Sequence, residues 1–545
     1  MNGVRLICLL SIAYLHLVTG STTFKLASYY NDHMVLQMAP ERASIWGYAE
    51  ESAEIQVTLK GKIYKAITTH SSFSADAIWK VTLDPVPPSG PFTITISSIS
   101  HGIHEVIELK DVLFGDVWVC SGQSNMAFEV KQAFNGTEEL LKSYEYPNVR
   151  VFAVEQVESS VPFYDLQSVY LPWSRPSPEA LGQNTATFTY FSAVCWFFGR
   201  DLYDHFEYPI GLISTNWGGT PDEAWSSPDA LAKCNMTRQN YAQKLAEEHA
   251  YKYPHEFAQK ETQEYAQKEG DSFHLWKTTF QGPAQHSVLW NAMIHPLLNM
   301  TIKGAIWYQG EANANAPNTY NCTFPAMIDD WRAKWYMGTG GLTNKQFPFG
   351  FVQLCTSNSV QPGLIGNYPI LRWHQTADYG YVPNPRMENV FMAVSIDLPD
   401  PTSIYHPIHP RYKQDVGHRL ALSARAVAYQ EDYVTYSGPF PTKFAASNDS
   451  LAIQYDHGKS NIAIINSDGF EICCCPTGTS CDNWSPSTIT DQQSPSILTL
   501  SHNCSTGSIT QVRYLWREYP CTFKNCSIYS VENKLPGAPF ILPLK

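Results

Sequence analysis

The serine at position 124 stands where a nucleophile could be exposed. The apolar segment DVWVC, which we interpret as a buried strand, ends in the polar sequence SGQSNM at residues 121–126. In an open parallel α/β sheet, ligands bind beyond the carboxyl ends of the strands. A serine at such an end is either a turn residue or a nucleophile. A nucleophilic serine needs a base within hydrogen-bond reach, and a third group must orient that base.

Three later segments share this pattern, in which an apolar run ends in small or reactive polar residues. The ends of these runs read NWGGTPDEAW, with Gly218 and Gly219, then QGEAN, and then DLPDPTSIYHPIHP. If the four runs are strands of one parallel sheet, their ends face a single crevice although they are far apart in sequence. The four segments are therefore expected to form one composite site, although their spacing by itself is only weak support for a hydrolase.

Within that site we expect His409 to be the general base. It lies just before a stretch in which Val416, Leu420, Ala424 and Val427 fall on one face of a predicted helix, so its ring belongs to a strand-to-helix loop. Asp397 is the expected orienting acid, with Asp400 as the alternative. The order Ser, Asp, His also occurs in α/β hydrolases, but Gly122-Gln123-Ser124-Asn125-Met126 lacks the last glycine of their nucleophile elbow.

The remaining candidates serve the oxyanion and the substrate. The backbone N–H groups of Ser124 and of Gly218 or Gly219 are candidate oxyanion donors, and a side-chain amide from Gln309 or Asn313 could complete the set. The candidate substrate-binding residues are Gln123, Glu311 and Arg372; an arginine suits a carboxylate, although a structural ion pair is the alternative for Arg372. Each candidate also has a plain structural interpretation, and His374, His406 and His418 are further available histidines.

The elements that must position these residues fall into four segments. Residues 1–20 have the layout of a secretory signal peptide. Alternating apolar and polar residues predict a β-sandwich-like domain over residues 21–110. Residues 111–434 predict an α/β domain with a largely parallel sheet and a polar helical insertion at about 237–273. Residues 435–545 return to β patterns and predict a disulfide-rich β domain.

Composition limits the partners and the compartment. The chain of 545 residues has a net charge of −13 without any Lys/Arg-rich run, which disfavours nucleic acid and anionic membranes as partners. No later segment is long and apolar enough to span a membrane. The clustered C-terminal cysteines favour disulfides over zinc, and eight sequons favour glycosylation. The sequon asparagines are Asn135, Asn235, Asn299, Asn321, Asn448, Asn483, Asn503 and Asn525.

Several of these motifs together resemble a known family. The segments SGQSNM, TNWGGTPDEAWSS, HSVLWNAMIHPL, IWYQGEAN, RWHQTADYGYVPNP and IHPRYKQ, in this order, resemble the sialate O-acetylesterases of the SGNH hydrolase superfamily. The resemblance implies an SGNH-type three-layer α/β domain and hydrolysis of O-acetyl esters of sialic acids, at the 9-position, without metal or cofactor. It implies Ser124 as the nucleophile and His409 as the base, in a secreted or lysosomal protein. The superfamily often has an acid three residues before the histidine, where this chain has His406.

Two other functions compete with this expectation. One is an acetylesterase that acts on a different acetylated carbohydrate by the same mechanism. The other is a secreted carbohydrate-binding protein without catalysis, which would bind sugars through the flanking β domains.

Overall fold

The structure is a computed structural model, and it describes residues 24–70, 77–236, 282–456, 461–475, 483–504 and 508–544. The predicted signal peptide and the predicted helical insertion lie outside these residues. Within the described ranges, no helix has the length and apolar character needed to cross a bilayer.

The first part of the chain is made of strands. They are β1 (Lys25–Leu26), β2 (Val35–Gln37), β3 (Ser44–Tyr48), β4 (Glu54–Leu59), β5 (Lys62–Ile67), β6 (Ile78–Thr82), β7 (Ser89–Ser100) and β8 (Ile103–Gly122). Strands β1, β3 and β6 form one sheet, and β5, β4, β7 and β8 pair antiparallel in a second. The Lys60-Gly61 turn joins β4 to β5 with both residues at positive φ, which suits a two-residue hairpin.

Strand β8 continues into the central sheet. That sheet also contains β9 (Val149–Val154), β10 (Val169–Ser174), β11 (Ile210–Asn216), β12 (Gly304–Tyr308), β13 (Phe349–Gln353) and β14 (Val390–Val394). The order is β10-β9-β11-β8-β12-β13-β14, and every neighbouring pair is parallel except β10 with β9. The predicted boundary at residue 110 therefore falls inside one strand that belongs to both sheets.

Helices cover both faces of the central sheet. They are α1 (Ser124–Ala127), α2 (Gly136–Lys142), α3 (Ala193–Phe206), α4 (Pro228–Lys233), α5 (Tyr320–Gly338), α6 (Tyr368–His374) and α7 (Lys413–Val427). The ring of Trp118 in β8 lies 5.1 Å from Phe198 in α3. Trp307 in β12 pairs with Ser121, on the opposite face of the sheet from Trp118, and its ring lies 6.0 Å from Trp331 in α5. The helix predicted after His409 is confirmed as α7.

The C-terminal part is built of short strands. They are β15 (Pro441–Ala446), β16 (Ser450–Tyr455), β17 (Ile462–Ile464), β18 (Phe470–Cys475), β19 (Trp484–Ser487), β20 (Ile489–Ser494), β21 (Ile497–Ser501), β22 (Ser508–Tyr514), β23 (Ile528–Ser530) and β24 (Phe540–Pro543). Their sheet orders are β15-β16-β21-β20, β17-β23 and β19-β18-β22-β24. The prediction of disulfides is confirmed by Cys474–Cys504 and Cys521–Cys526 here, and by Cys120–Cys195 and Cys234–Cys322 in the α/β part.

Candidate active site

The carboxyl ends of three adjacent strands meet beside Ser124. In the parallel register, Gly122 of β8 pairs with Asn216 of β11 on one side and with Tyr308 of β12 on the other. A Cβ atom at Gly122 would lie 2.2 Å from the carbonyl oxygen of Tyr308, and the φ angle of Gly122 is +145°. Only glycine fits this close approach, because any larger residue would collide with the β12 backbone. The chain can therefore leave β8 sharply and begin α1 at Ser124.

The side chains of Ser124 and His409 meet at this edge of the sheet. The Oγ of Ser124 lies 2.8 Å from the Nε2 of His409, although 285 positions separate the two residues. The Nδ1 of His409 lies 2.7 Å from the carbonyl oxygen of Tyr405. A carbonyl can only accept, so Nδ1 carries the proton and donates it. The Nε2 lone pair is then free to accept the Ser124 hydroxyl proton.

The His409 ring is half-buried. The ring of Phe188 is 4.9 Å away, and the hydroxyl of Ser403 donates to the His409 carbonyl at 2.8 Å, which holds the loop. Burial, together with the nearby charges of Lys413 and His406, lowers the pKa of His409 to about 4. The imidazole is therefore neutral, as a general base must be, down to acidic pH.

Neither predicted acid orients this imidazole. The Asp397 carboxylate accepts from the guanidinium of Arg419 and from the hydroxyl of Tyr529 at 3.2 Å. The Asp400 carboxylate accepts from Arg411. The prediction that Asp397 or Asp400 orients His409 is corrected, because His409 Nδ1 donates its hydrogen bond to the Tyr405 carbonyl instead. A backbone carbonyl also makes the imidazolium less favourable than a carboxylate would.

Backbone N–H groups are available for an oxyanion. Gly218 lies beside the nucleophile, since a Cβ atom built on it would be 3.4 Å from the Cβ of Ser124. In the described part of the chain, the backbone N–H groups of Ser124 and Gly218 have no hydrogen-bond acceptor. Gly219, with φ of +75°, follows in the same loop. The first two N–H groups thus fit the donors expected for an oxyanion hole.

The two predicted side-chain donors are directed elsewhere. The Gln309 amide donates to the Thr220 carbonyl at 3.1 Å and to Asn313 Oδ1 at 2.7 Å. The Asn313 amide donates to the carboxylates of Asp222 and Glu223, each at 2.8 Å. Because both protons of each amide are used, neither side chain is a free oxyanion donor. Their hydrogen bonds instead fasten the loop that carries Gly218.

The predicted substrate-binding residues are mostly internal. The Gln123 Oε1 accepts from the backbone N–H of Ala312 at 3.1 Å, which joins the loops after β8 and β12. Arg372 is fully buried, and all of its hydrogen bonds go to backbone carbonyls, so the prediction that it binds a substrate carboxylate is corrected. The Glu311 carboxylate accepts from the Asn125 amide, one residue from the nucleophile.

The predicted glycosylation sites differ in exposure. Six of the sequon asparagines are exposed, namely Asn135, Asn235, Asn448, Asn483, Asn503 and Asn525. Asn299 and Asn321 are half-buried: the Lys80 ammonium donates to Asn299 Oδ1, and the Asn321 amide donates to Asp378.

Comparison with known proteins places the chain in a family. Residues 442–544 match the model described as the sialate O-acetylesterase C-terminal domain. The sialate O-acetylesterases of Homo sapiens and Mus musculus are each 43% identical to this chain, over 95% of its length and over 92% and 94% of theirs. The chain belongs to the sialate O-acetylesterase family. A solved structure of a carbohydrate acetylesterase from Xanthomonas citri is similar too, with 27% identity and a TM-score of 0.73, covering 95% of this chain and 99% of that one.

Four residues at this family member's site escaped the sequence analysis. Tyr405 acts through its backbone carbonyl, which has no sequence signature. Phe188 lies in a loop that is far from the predicted motifs in sequence, and Asn125 lies within SGQSNM but was not singled out there. Lys413 did leave a signal, because it falls on the same face of α7 as buried Val416 and Leu420. Among the described residues, no group of three or more His, Cys, Asp or Glu could hold a metal ion.

Proposed function

We propose that this chain is a serine esterase that hydrolyses O-acetyl esters of sialic acids. The observation that carries the proposal is the 2.8 Å contact between Ser124 Oγ and His409 Nε2, with Nδ1 already donating to a carbonyl. The relatives named as sialate O-acetylesterases, which align over nearly the whole chain, supply the substrate class.

The geometry supports a two-step acyl transfer. The Ser124 oxygen attacks the acetyl carbonyl carbon while His409 Nε2 takes the hydroxyl proton. The N–H groups of Ser124 and Gly218 donate to the carbonyl oxygen as it becomes negative. The bond to the sugar oxygen breaks, His409 gives that oxygen the proton, and the acetyl group stays on Ser124. Water, deprotonated by His409, then attacks the acetyl-serine, and acetate leaves as the proton returns to Ser124.

Finer features belong to the same proposal. We infer an SGNH-type three-layer hydrolase domain over residues 111–434 between β domains at 21–110 and 435–545, a preference for the 9-O-acetyl position, and no cofactor. We also infer a glycoprotein that enters the secretory pathway and is secreted or lysosomal. The disulfides and the exposed sequons support an oxidising compartment.

The test compares the purified protein with its Ser124→Ala variant. The wild type should release acetate from O-acetylated sialic acid, whereas Ser124→Ala should lose this activity by at least about 1,000-fold while it unfolds at the same temperature. A fluorophosphonate should label Ser124. Retained activity in Ser124→Ala would exclude the assignment, and an unlabelled, inactive wild type would favour a carbohydrate-binding protein.

A second candidate is an acetylesterase for another sugar, which the Xanthomonas citri neighbour favours by its description. A panel that compares O-acetylated sialic acid with acetylated xylan fragments separates the two. Faster turnover of the xylan fragments would replace the sialic acid assignment and leave the serine mechanism intact.

A further inference from the structure

Two parallel hydrogen bonds join the nucleophile segment to the base segment. Ser124 meets His409 through their side chains. The neighbouring residue Asn125 donates from Nδ2 to the carbonyl of Ile408, which precedes His409, at 2.9 Å. The second contact fixes the backbone of the base relative to the backbone of the nucleophile. We propose that Asn125 is a positioning residue, held by Lys413 and Glu311, that keeps His409 on the Ser124 hydroxyl.

The orientation of the Asn125 amide is determined by its neighbours. Its Nδ2 also donates to the Glu311 carboxylate, and its Oδ1 accepts from the Lys413 ammonium at 2.6 Å. A reversed amide would turn Oδ1 towards the Ile408 carbonyl and the Glu311 carboxylate, and would turn its N–H groups towards an ammonium. The Lys413 and Glu311 side chains therefore select the one orientation that can donate to Ile408.

The buried Lys413 side chain and the half-buried Glu311 flank this amide. The Lys413 side chain is 0% exposed, with its Nζ 4.6 Å from the Phe128 ring centre and 5.2 Å from that of Tyr308. In the described structure, Asn125 Oδ1 is the one oxygen to which the ammonium donates, and Glu311 Oε2 is buried without a hydrogen-bond partner. Burying such groups is unfavourable. An amino group and a carboxyl group on either side of one amide are more than a simple core needs.

The base depends on such an anchor. The loop from Pro399 to Tyr412 has no regular secondary structure, and a backbone carbonyl orients the His409 ring. If the Ile408 backbone moved, both the ring nitrogen and its orienting carbonyl would shift relative to Ser124. A displacement of about 1 Å at a catalytic group can cost about 100-fold in rate. The loss should appear in kcat, because the Asn125 side chain is buried and its polar atoms are used by Ile408, Glu311 and Lys413.

This inference rests on the proposed esterase function, so the assay first asks whether the wild type turns over p-nitrophenyl acetate. An inactive wild type would refute the proposed function. With an active wild type, Asn125→Asp, which keeps the shape but removes the amide donors, should lower kcat by about 100-fold with KM changed less than about threefold. Fluorophosphonate labelling of Ser124 should slow in parallel. The control is Thr402→Ala, which removes a hydrogen bond to Asp400 in the same loop and should stay within about twofold of wild type.

A second variant separates a loss of positioning from a failure of Asn125→Asp to fold. Lys413→Met removes the donor that orients Asn125 and replaces a buried amino group with an apolar chain. It should lower kcat by about tenfold or more at unchanged KM. A kcat within threefold of wild type in Asn125→Asp or in Lys413→Met would overturn the proposal. So would a loss of cooperative unfolding in both variants, since the cluster would then serve stability alone.

Discussion

The smallest scale at which the chemistry can be tested is the proton on His409. Burial lowers the pKa of this imidazole to about 4, and a neutral ring is the form that can accept the Ser124 proton. We therefore expect kcat/KM for a neutral ester to be level from about pH 5 upward and to fall only as the pH drops through about 4. The measurement is a pH profile between 3.5 and 8 with p-nitrophenyl acetate. A fall of kcat/KM centred near about pH 6.5, the ordinary pKa of histidine, would contradict this prediction.

A second residue-scale prediction concerns Asp397, which the sequence favoured as the orienting acid. Its carboxylate pairs with buried Arg419, so Asp397→Asn should lower stability by about 3 kcal/mol or more, because it leaves the guanidinium charge without its counter-charge. The kcat of the folded variant should stay within about threefold of wild type, whereas loss of a triad carboxylate costs about 10,000-fold. Thermal unfolding and steady-state kinetics measure the two effects.

Asp400→Asn is the matched control for that experiment. Its partner Arg411 is reached by solvent, with 21% of the side chain exposed, so the stability loss should be smaller. A fall in kcat of about 1,000-fold or more in either variant, without unfolding, would restore a carboxylate to the mechanism.

At the scale of secondary-structure elements, the sequence predicts what local patterns encode. The apolar stripe of α7 is buried at Val416, Leu420 and Ala424, and the strand runs before residues 121, 217 and 309 are β8, β11 and β12. The partners of polar side chains were not predictable. Whether Asn313 faces an oxyanion or a carboxylate depends on Asp222 and Glu223, about 90 positions away. No local pattern encodes that contact.

The loop that carries Phe188 supplies an element-scale prediction. The backbone N–H groups of Thr189 and Tyr190 both donate to the buried Glu129 carboxylate at 3.0 Å, which fixes Phe188 against the His409 ring. Because burial is the main cause of the low His409 pKa, Phe188→Ala should admit water and move the acidic limb of kcat/KM upward from about 4.

Tyr170→Ala provides the comparison, since the Tyr170 ring makes an edge-to-face contact with Tyr190 of the same loop and is not in contact with the His409 ring. Its acidic limb should coincide with that of wild type. If Phe188→Ala also left the limb unchanged, desolvation by this loop would not be the cause of the shift.

At the scale of the whole molecule, the C-terminal strands and the α/β part stabilise each other. Buried apolar residues from both belong to one continuous cluster. Two chain segments also meet at Arg372, whose guanidinium donates to the carbonyls of Leu354 and Cys355 and to those of Arg517 and Glu518. The Glu518 carboxylate in turn accepts from the N–H groups at the start of α6. The segments predicted from the residue patterns therefore share one hydrophobic core.

Arg372 gives this interdependence a test that also separates stability from substrate recognition. Arg372→Ala leaves four carbonyls without this donor. Those of Leu354, Cys355 and Glu518 are buried and should cost about 1–3 kcal/mol each, so the unfolding temperature should fall sharply. Arg386→Ala removes a surface ion pair with Asp329 and should change stability by about 1 kcal/mol at most. A fully buried guanidinium does not reach a substrate carboxylate, so substrate preference should not change. In the folded fraction of Arg372→Ala, we expect the kcat/KM for O-acetylated sialic acid, divided by the kcat/KM for a neutral acetyl ester, to match the wild-type ratio within about twofold. A selective loss of activity towards the anionic ester would show that Arg372 recognises the sialic acid carboxylate after all.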